Sequence, residues 1–156
     1  MEAIYLSIKL NIKKIIDELI KHKIFETMMR LMVDYEWNNL LHNQIEKIFS
    51  ATIEGDNNKL RMSLMKDRKL VDFLFDATRE TNYTMPNAQQ RQIRRGYLGH
   101  LTNIAKLIEK KAETDNDIKE LITCDKWNDF DDTYLRETQE TNNIDLAGKG
   151  GDEDDQ

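Results

Sequence analysis

Three histidines, one cysteine and a cluster of aspartates are the side chains in this 156-residue sequence best suited to making or breaking bonds. His22, His42 and His100 stand in no HExxH spacing, and no CxxC pair exists because Cys124 is the lone cysteine. A zinc site needs three or four protein ligands; structural roles for the histidines are therefore expected. His22 closes a helical stretch, where an imidazolium favours the local dipole. Asp115, Asp117, Asp125, Asp129, Asp131 and Asp132 read as a solvated face and loop, and no catalytic pair stands out among them. The stretch DNDIKELITCD lacks the alternation and closing glutamate of a calcium loop. RRGYLGH matches neither GxGxxG nor GxxxxGK[ST], so no phosphate cradle is expected. No catalytic residue, cofactor or metal is expected.

Binding chemistry is better represented. Residues 88–111 carry six bases (Arg91, Arg94, Arg95, Lys106, Lys110, Lys111) against Glu109. Such a stretch suits nucleic acid or an acidic partner, or it pairs internally with the eight acids of residues 113–132. Internal pairing is preferred, because a polyanion-binding surface needs a broader basic field. Gly96 and Gly99 lie three apart at the start of an otherwise good helix, where an interior glycine costs about 1 kcal/mol relative to alanine. On a helix the two would share a bare face open to another backbone, flanked by Arg94 and Arg95. A simpler reading puts Gly96 ahead of the helix and only Gly99 inside it. Trp37, Tyr97 and the Trp127–Phe130 pair suit either partner anchoring or core capping.

The elements that must hold these residues are helical. Apolar positions recur at 3.6-residue spacing in Ile4–Leu19, Phe25–Met32, Leu41–Thr52, Leu70–Thr78, Tyr97–Ile108 and Ile118–Ile122. Residues 58–66 suggest a further short helix. The methionines read as gap-fillers between helices. Asn38 is placed to cap the third helix, with Trp37 as a staple over its first turn. Thr114 or Asp115 is placed to cap the sixth. Gly55 marks a helix end, and residues 81–90, containing Pro86, read as a polar loop. Residues 23–48 and 69–108 share a helix–break–helix layout offset by 46 residues, a period of armadillo and HEAT arrays. The expected fold class is an all-α, armadillo/HEAT-like helical repeat, an α-solenoid fragment.

Charge and composition bound the rest. The net charge of −6 resides in residues 137–156, while residues 1–136 hold 22 bases and 22 acids. The last twenty residues carry few large apolar side chains, so a helical domain over 1–136 and a disordered acidic tail over 137–156 are expected. Thr138 and Thr141, set among acids, are candidate phosphorylation sites. No apolar run suits a membrane span or a signal peptide.

At this point the residues resemble a known family. RRGYLGHLTNIA (94–105) is very similar to the SAPS-domain signature, usually close to RRGYMGHLTRIA. WNNLLHNQIEKI (37–48) resembles its WNNFLH-x-x-VE segment, KDRKLVDFLFDA (66–77) a helix between the two, and Trp127–Phe130 its W-x-x-F element. Order and spacing agree over about residues 20–130, roughly the carboxyl-terminal third of such a domain. The resemblance implies a non-catalytic regulatory or scaffold subunit that binds a type-6-like serine/threonine protein phosphatase catalytic subunit. Further scaffold subunits, and a cytoplasmic or also nuclear location, go with it. Membrane and nucleic acid are not expected partners. Arg94, Arg95, Gly96, Tyr97, Gly99 and His100, then Trp37, Asn38, Asn39 and His42, are the implied contact residues. The alternatives are a basic-helix module binding RNA or another polyanion, and an enzyme whose pocket gathers histidine with carboxylates.

Overall fold

A computed structural model describes residues 1–65, 69–79, 82–84, 92–136 and 138, with 82–84 and 92–94 traced as backbone only. The helices begin with α1 (Glu2–Lys9) and α2 (Lys13–Lys21), then α3 (Ile24–Asp34) and α4 (Asn39–Glu54). After these come α5 (Asn58–Met65), α6 (Lys69–Arg79), α7 (Leu98–Ala112), α8 (Asn116–Ile122) and α9 (Asp125–Phe130). A π-helical turn, Asp131–Leu135, continues α9. No described helix is long and apolar enough to cross a membrane.

Local chemistry sets most boundaries. Asn38 caps α4, its Oδ1 accepting from the Leu41 N–H at 3.1 Å. Asn57 caps α5 through the Leu60 N–H at 2.9 Å. Asp115 caps α8, accepting from the N–H groups of Asp117 and Ile118. The first apolar stripe is not one helix, however. Asn11 lies in the left-handed region at φ 50° and splits it into α1 and α2, and Lys23 at φ 50° separates α2 from α3. The polar loop expected over 81–90 also needs correction. Asn82–Thr84 (β1) pairs antiparallel with Gln92–Arg94 (β2), with Tyr83 opposite Ile93. Residues 85–91 lie outside the described chain, as does the predicted acidic tail apart from Thr138.

The two longest helices form the centre. α4 buries Ile45, Ile48, Phe49 and Thr52, and α7 buries Leu98, Leu101, Ile104, Ala105 and Ile108. These helices pack against each other, with α1 on α4 and α8 on α7. α3 packs on α4 and α6 on α7, while α5 bridges α4 and α6. The second helices of two successive pairs thus stack side by side, which is the packing of a helical-repeat fragment. Phe25 of α3 meets Phe49 of α4 edge to face at 5.8 Å. Each such fully buried side chain stabilises the fold by about 1.5–3 kcal/mol. Buried threonines satisfy their hydroxyls within their own helices, Thr52 donating to Ile48 O and Thr78 to Leu74 O.

Ion pairs fasten neighbouring helices. Arg61 of α5 reaches Asp115 at 3.0 Å, with little of either side chain exposed, and donates to Gly55 O. Lys126 of α9 reaches Asp72 of α6, and this hydrogen bond raises the lysine's pKa. The described residues do not show the pairing expected of the basic stretch, whose Arg91 and Arg94 side chains lie outside them. Among the described residues no base of 88–111 pairs with an acid of 113–132; Arg95 turns to Glu36, and Asp115 is taken by Arg61.

Candidate docking ledge

Two short connections meet at the start of the central helices. One is the turn from α3 into α4, residues 35–38, and the other is Arg95–Tyr97, between β2 and α7. Gly96 lets them touch. A Cβ at Gly96 would sit 2.6 Å from Glu36 O and 3.5 Å from Cε3 of Trp37, so only a glycine fits beneath that carbonyl. Arg95 donates from Nη1 to Glu36 Oε2 at 2.6 Å, and both side chains are mostly covered. The indole N–H of Trp37 donates to the other oxygen of the same carboxylate at 3.1 Å. Glu36 therefore neutralises Arg95 and orients Trp37.

Gly99 behaves differently. It is the second residue of α7, and a Cβ there would meet nothing within 4 Å. No glycine of the described chain has a positive φ. Neither crowding nor backbone geometry demands glycine there, although the helix forgoes about 1 kcal/mol by lacking alanine. The simpler sequence reading holds: Gly96 precedes the helix and Gly99 is inside it, so they do not share one helical face. They do line one hollow, with His100, Asn103, Lys106 and the buried Thr138.

The histidines tie α4 to α7. His100 donates from Nδ1 to Glu46 Oε2 at 2.5 Å, and its Nε2 lies 2.8 Å from Asn39 Oδ1. Asn103 donates to the second oxygen of Glu46 at 3.0 Å. His42 lies below this network, fully buried, with Nε2 donating to Met32 O at 3.1 Å. Its ring meets those of His100 at 5.5 Å and Tyr97 at 6.2 Å. Burial lowers the His42 pKa from its usual 6.5, outweighing the backbone hydrogen bonds that oppose the shift, and the neighbouring His100 adds to the lowering. Tyr97 is buried and donates to Ala77 O at 3.3 Å.

The implied contact residues thus fall into three groups. Gly99, Trp37, Asn38 and Asn39 face solvent, as does the edge of Gly96. His42 and Tyr97 are interior supports that a docked molecule does not touch, and Arg95 and His100 are largely engaged in cross-helix contacts. The side chain of Arg94 lies outside the described residues. Sequence reasoning missed Glu36, Glu46 and Asn103, which hold the ledge, and Tyr35 and Leu40, which are exposed on it at 55% and 80%. Glu46 was visible as the last of a polar row at Asn39, His42, Asn43 and Glu46, spaced for one helical face. Leu40 was visible as a leucine out of phase with the stripe through Leu41, Ile45 and Ile48. Among the described residues no group of three histidine, cysteine or acidic side chains is placed to hold a metal.

Comparison with known proteins adds to this geometry. The SAPS family model, described as SIT4 phosphatase-associated protein, matches residues 13–144. Extragenic suppressor of kinetochore protein 1 from Schizosaccharomyces pombe is 30% identical over 84% of this chain and 17% of its own length. SIT4-associating protein SAP190 from Saccharomyces cerevisiae is 28% identical over 85% of the chain and 14% of its own. Serine/threonine-protein phosphatase 6 regulatory subunit 3-A from Xenopus laevis is 29% identical over 88% and 19%. The chain therefore spans less than a fifth of the length of each of these relatives. No solved structure matches it significantly.

Proposed function

This chain belongs to the SAPS family, and from that membership we propose that it is a non-catalytic regulatory or scaffold unit for a serine/threonine phosphatase catalytic subunit of the SIT4 and phosphatase 6 type. The observation that carries the reading is the family match across nearly all of the helical body, residues 13–144. Relatives bearing that match are named as SIT4-associating proteins and as phosphatase 6 regulatory subunits. The ledge supports it. Its backbone is fixed from beneath by the Glu36–Arg95 pair and the Glu46–His100–Asn39 network, while its outer side chains stay in water. A rigid, preformed surface loses little freedom on association, which favours binding. Further scaffold subunits, and a cytoplasmic or nuclear setting, belong to the same reading.

The test is direct capture. The immobilised 156-residue chain is presented with purified phosphatase 6 catalytic subunit, and saturable binding at micromolar concentration or tighter is expected. Absence of capture at catalytic-subunit concentrations of about 100 μM overturns the reading. Replacing Arg95 is a poor probe of the surface, because it strands the mostly covered Glu36 and disturbs the turn that Gly96 fits beneath.

A further inference from the structure

We propose that Tyr35, Trp37 and Leu40, together with the open backbone at Gly99, seat one segment of the phosphatase catalytic subunit, a segment that presents apolar side chains beside a basic residue. The inference rests on the phosphatase reading above and assigns it a surface and a chemistry.

Three observations converge. First, the turn into α4 and the start of that helix expose large apolar side chains in succession: Tyr35 at 55%, Trp37 at 52% and Leu40 at 80%. Single exposed apolar residues are ordinary, but a contiguous group beside a polar rim marks an interaction surface. Trp and Tyr are the usual anchors of such surfaces. Second, the hollow along 34–40 contains Asp34 and Glu36 and, among the described residues, no base. Glu36 is already occupied by Arg95 and Trp37, whereas Asp34 forms no ion pair among the described residues. Charge complementarity therefore asks for a cation on the partner, next to its apolar side chains. Third, Trp37 leans over Gly96, and Gly96 shares a hollow with Gly99. The apolar group thus runs on to a bare turn of helix where a docked backbone can come closer than any side chain would allow. The fold itself gives no reason for glycine at 99; a close-lying partner backbone does.

Another apolar group is exposed around the turn between α1 and α2, with Leu10 at 71%, and it provides the control. Binding of purified phosphatase 6 catalytic subunit is measured by titration calorimetry for the full chain and four variants. Leu40→Glu and Gly99→Leu alter only exposed positions, so helical circular dichroism should hold and the thermal midpoint should not fall, with Gly99→Leu raising it slightly. Each is expected to weaken binding at least about tenfold. Asp34→Lys should weaken it by about fivefold and flatten its salt dependence, because the rim pair is lost. Leu10→Glu should stay within about twofold of the unchanged chain.

If the unchanged chain binds and Leu40→Glu and Gly99→Leu bind equally well, the assignment is wrong and the phosphatase reading survives. Loss confined to Leu10→Glu moves the interface to the opposite end and equally ends the assignment. If the unchanged chain does not bind at all, the phosphatase reading falls and takes this inference with it.

Discussion

Gly96 and Gly99 stand three residues apart and ask for opposite outcomes when a methyl group is added. At Gly96 the new Cβ would lie 2.6 Å from a backbone carbonyl, which cannot swing aside as a side chain would. Gly96→Ala should therefore destabilise by about 1–3 kcal/mol, the usual range for overpacking. At Gly99 the space is empty and the residue is helical, so Gly99→Ala should stabilise by about 0.5–1 kcal/mol. Urea denaturation of the two variants decides this, and the same sign for both would sink the geometry of the Glu36–Gly96 approach. His42 makes a second residue-level prediction. Burial lowers its pKa below 6.5, so the unfolded chain binds its proton more readily than the folded one. Stability from this group is complete above about pH 6.5 and is lost as pH falls toward the folded value. His42→Gln keeps an amide donor for Met32 O and removes the titration. Between about pH 7.5 and pH 5.5 the unchanged chain should lose more stability than the glutamine variant. Parallel losses would assign the acid sensitivity to other groups.

At the scale of elements, the strongest local device is Asp115, which serves α8 twice. It caps the helix and also holds the Arg61 guanidinium of α5, whose side chain is only 9% exposed. Asp115→Asn retains an oxygen for capping and loses the charge; Asp115→Ala loses both. The alanine variant should cost about 3 kcal/mol or more, mostly from the stranded buried cation, with about 1 kcal/mol from the cap. The asparagine variant should fall between, and chemical denaturation of both against Arg61→Met separates the terms. Caps of this sort are readable in advance because they act within three residues: Asn38 was read that way, and Asp115 as one of two candidates beside Thr114. The core stripes were readable for the same reason: Phe25–Met32 and Leu41–Thr52 each repeat on one helix face. What defeated periodicity was a single dihedral. Ile8, Ile12 and Ile16 keep helical spacing straight through Asn11, whose left-handed turn leaves no mark on the apolar pattern. The hairpin was missed because strands of three residues are shorter than any window in which alternation shows. The ledge was half legible. Its glycine and its caps are local, but Glu46 and Asn39 meet His100 from 54 and 61 residues away, which only the packing of α4 on α7 brings about.

The whole molecule is a short stack whose two ends are finished differently. At one end α8 covers α7, and α9 with the π-helical turn buries Trp127, Phe130 and Tyr134, the Tyr134 hydroxyl donating to Leu98 O at 3.2 Å. At the other, α1, α2 and the turn between them leave Leu6, Leu10, Ile12 and Ile15 between 40% and 71% exposed. Stacked helix pairs share a continuous core with their neighbours, so a face of this kind is complementary to another helix. The helical body offers little electrostatic resistance to such contact, because residues 1–136 carry equal numbers of acids and bases. Repulsion must come from the −6 held in residues 137–156. The unchanged chain should therefore associate weakly with itself, and more so as salt screens that charge. Leu10→Lys with Ile15→Lys should abolish the association while moving stability by less than about 0.5 kcal/mol per site, since both side chains already face water. Sedimentation velocity across a range of concentrations reads the first effect and thermal unfolding the second. Self-association that survives both lysines would put the sticky surface elsewhere, with the Tyr35–Leu40 turn the next to be changed. Loss of stability in the double variant would mean that α1 and α2 bury those residues more deeply than their exposure indicates.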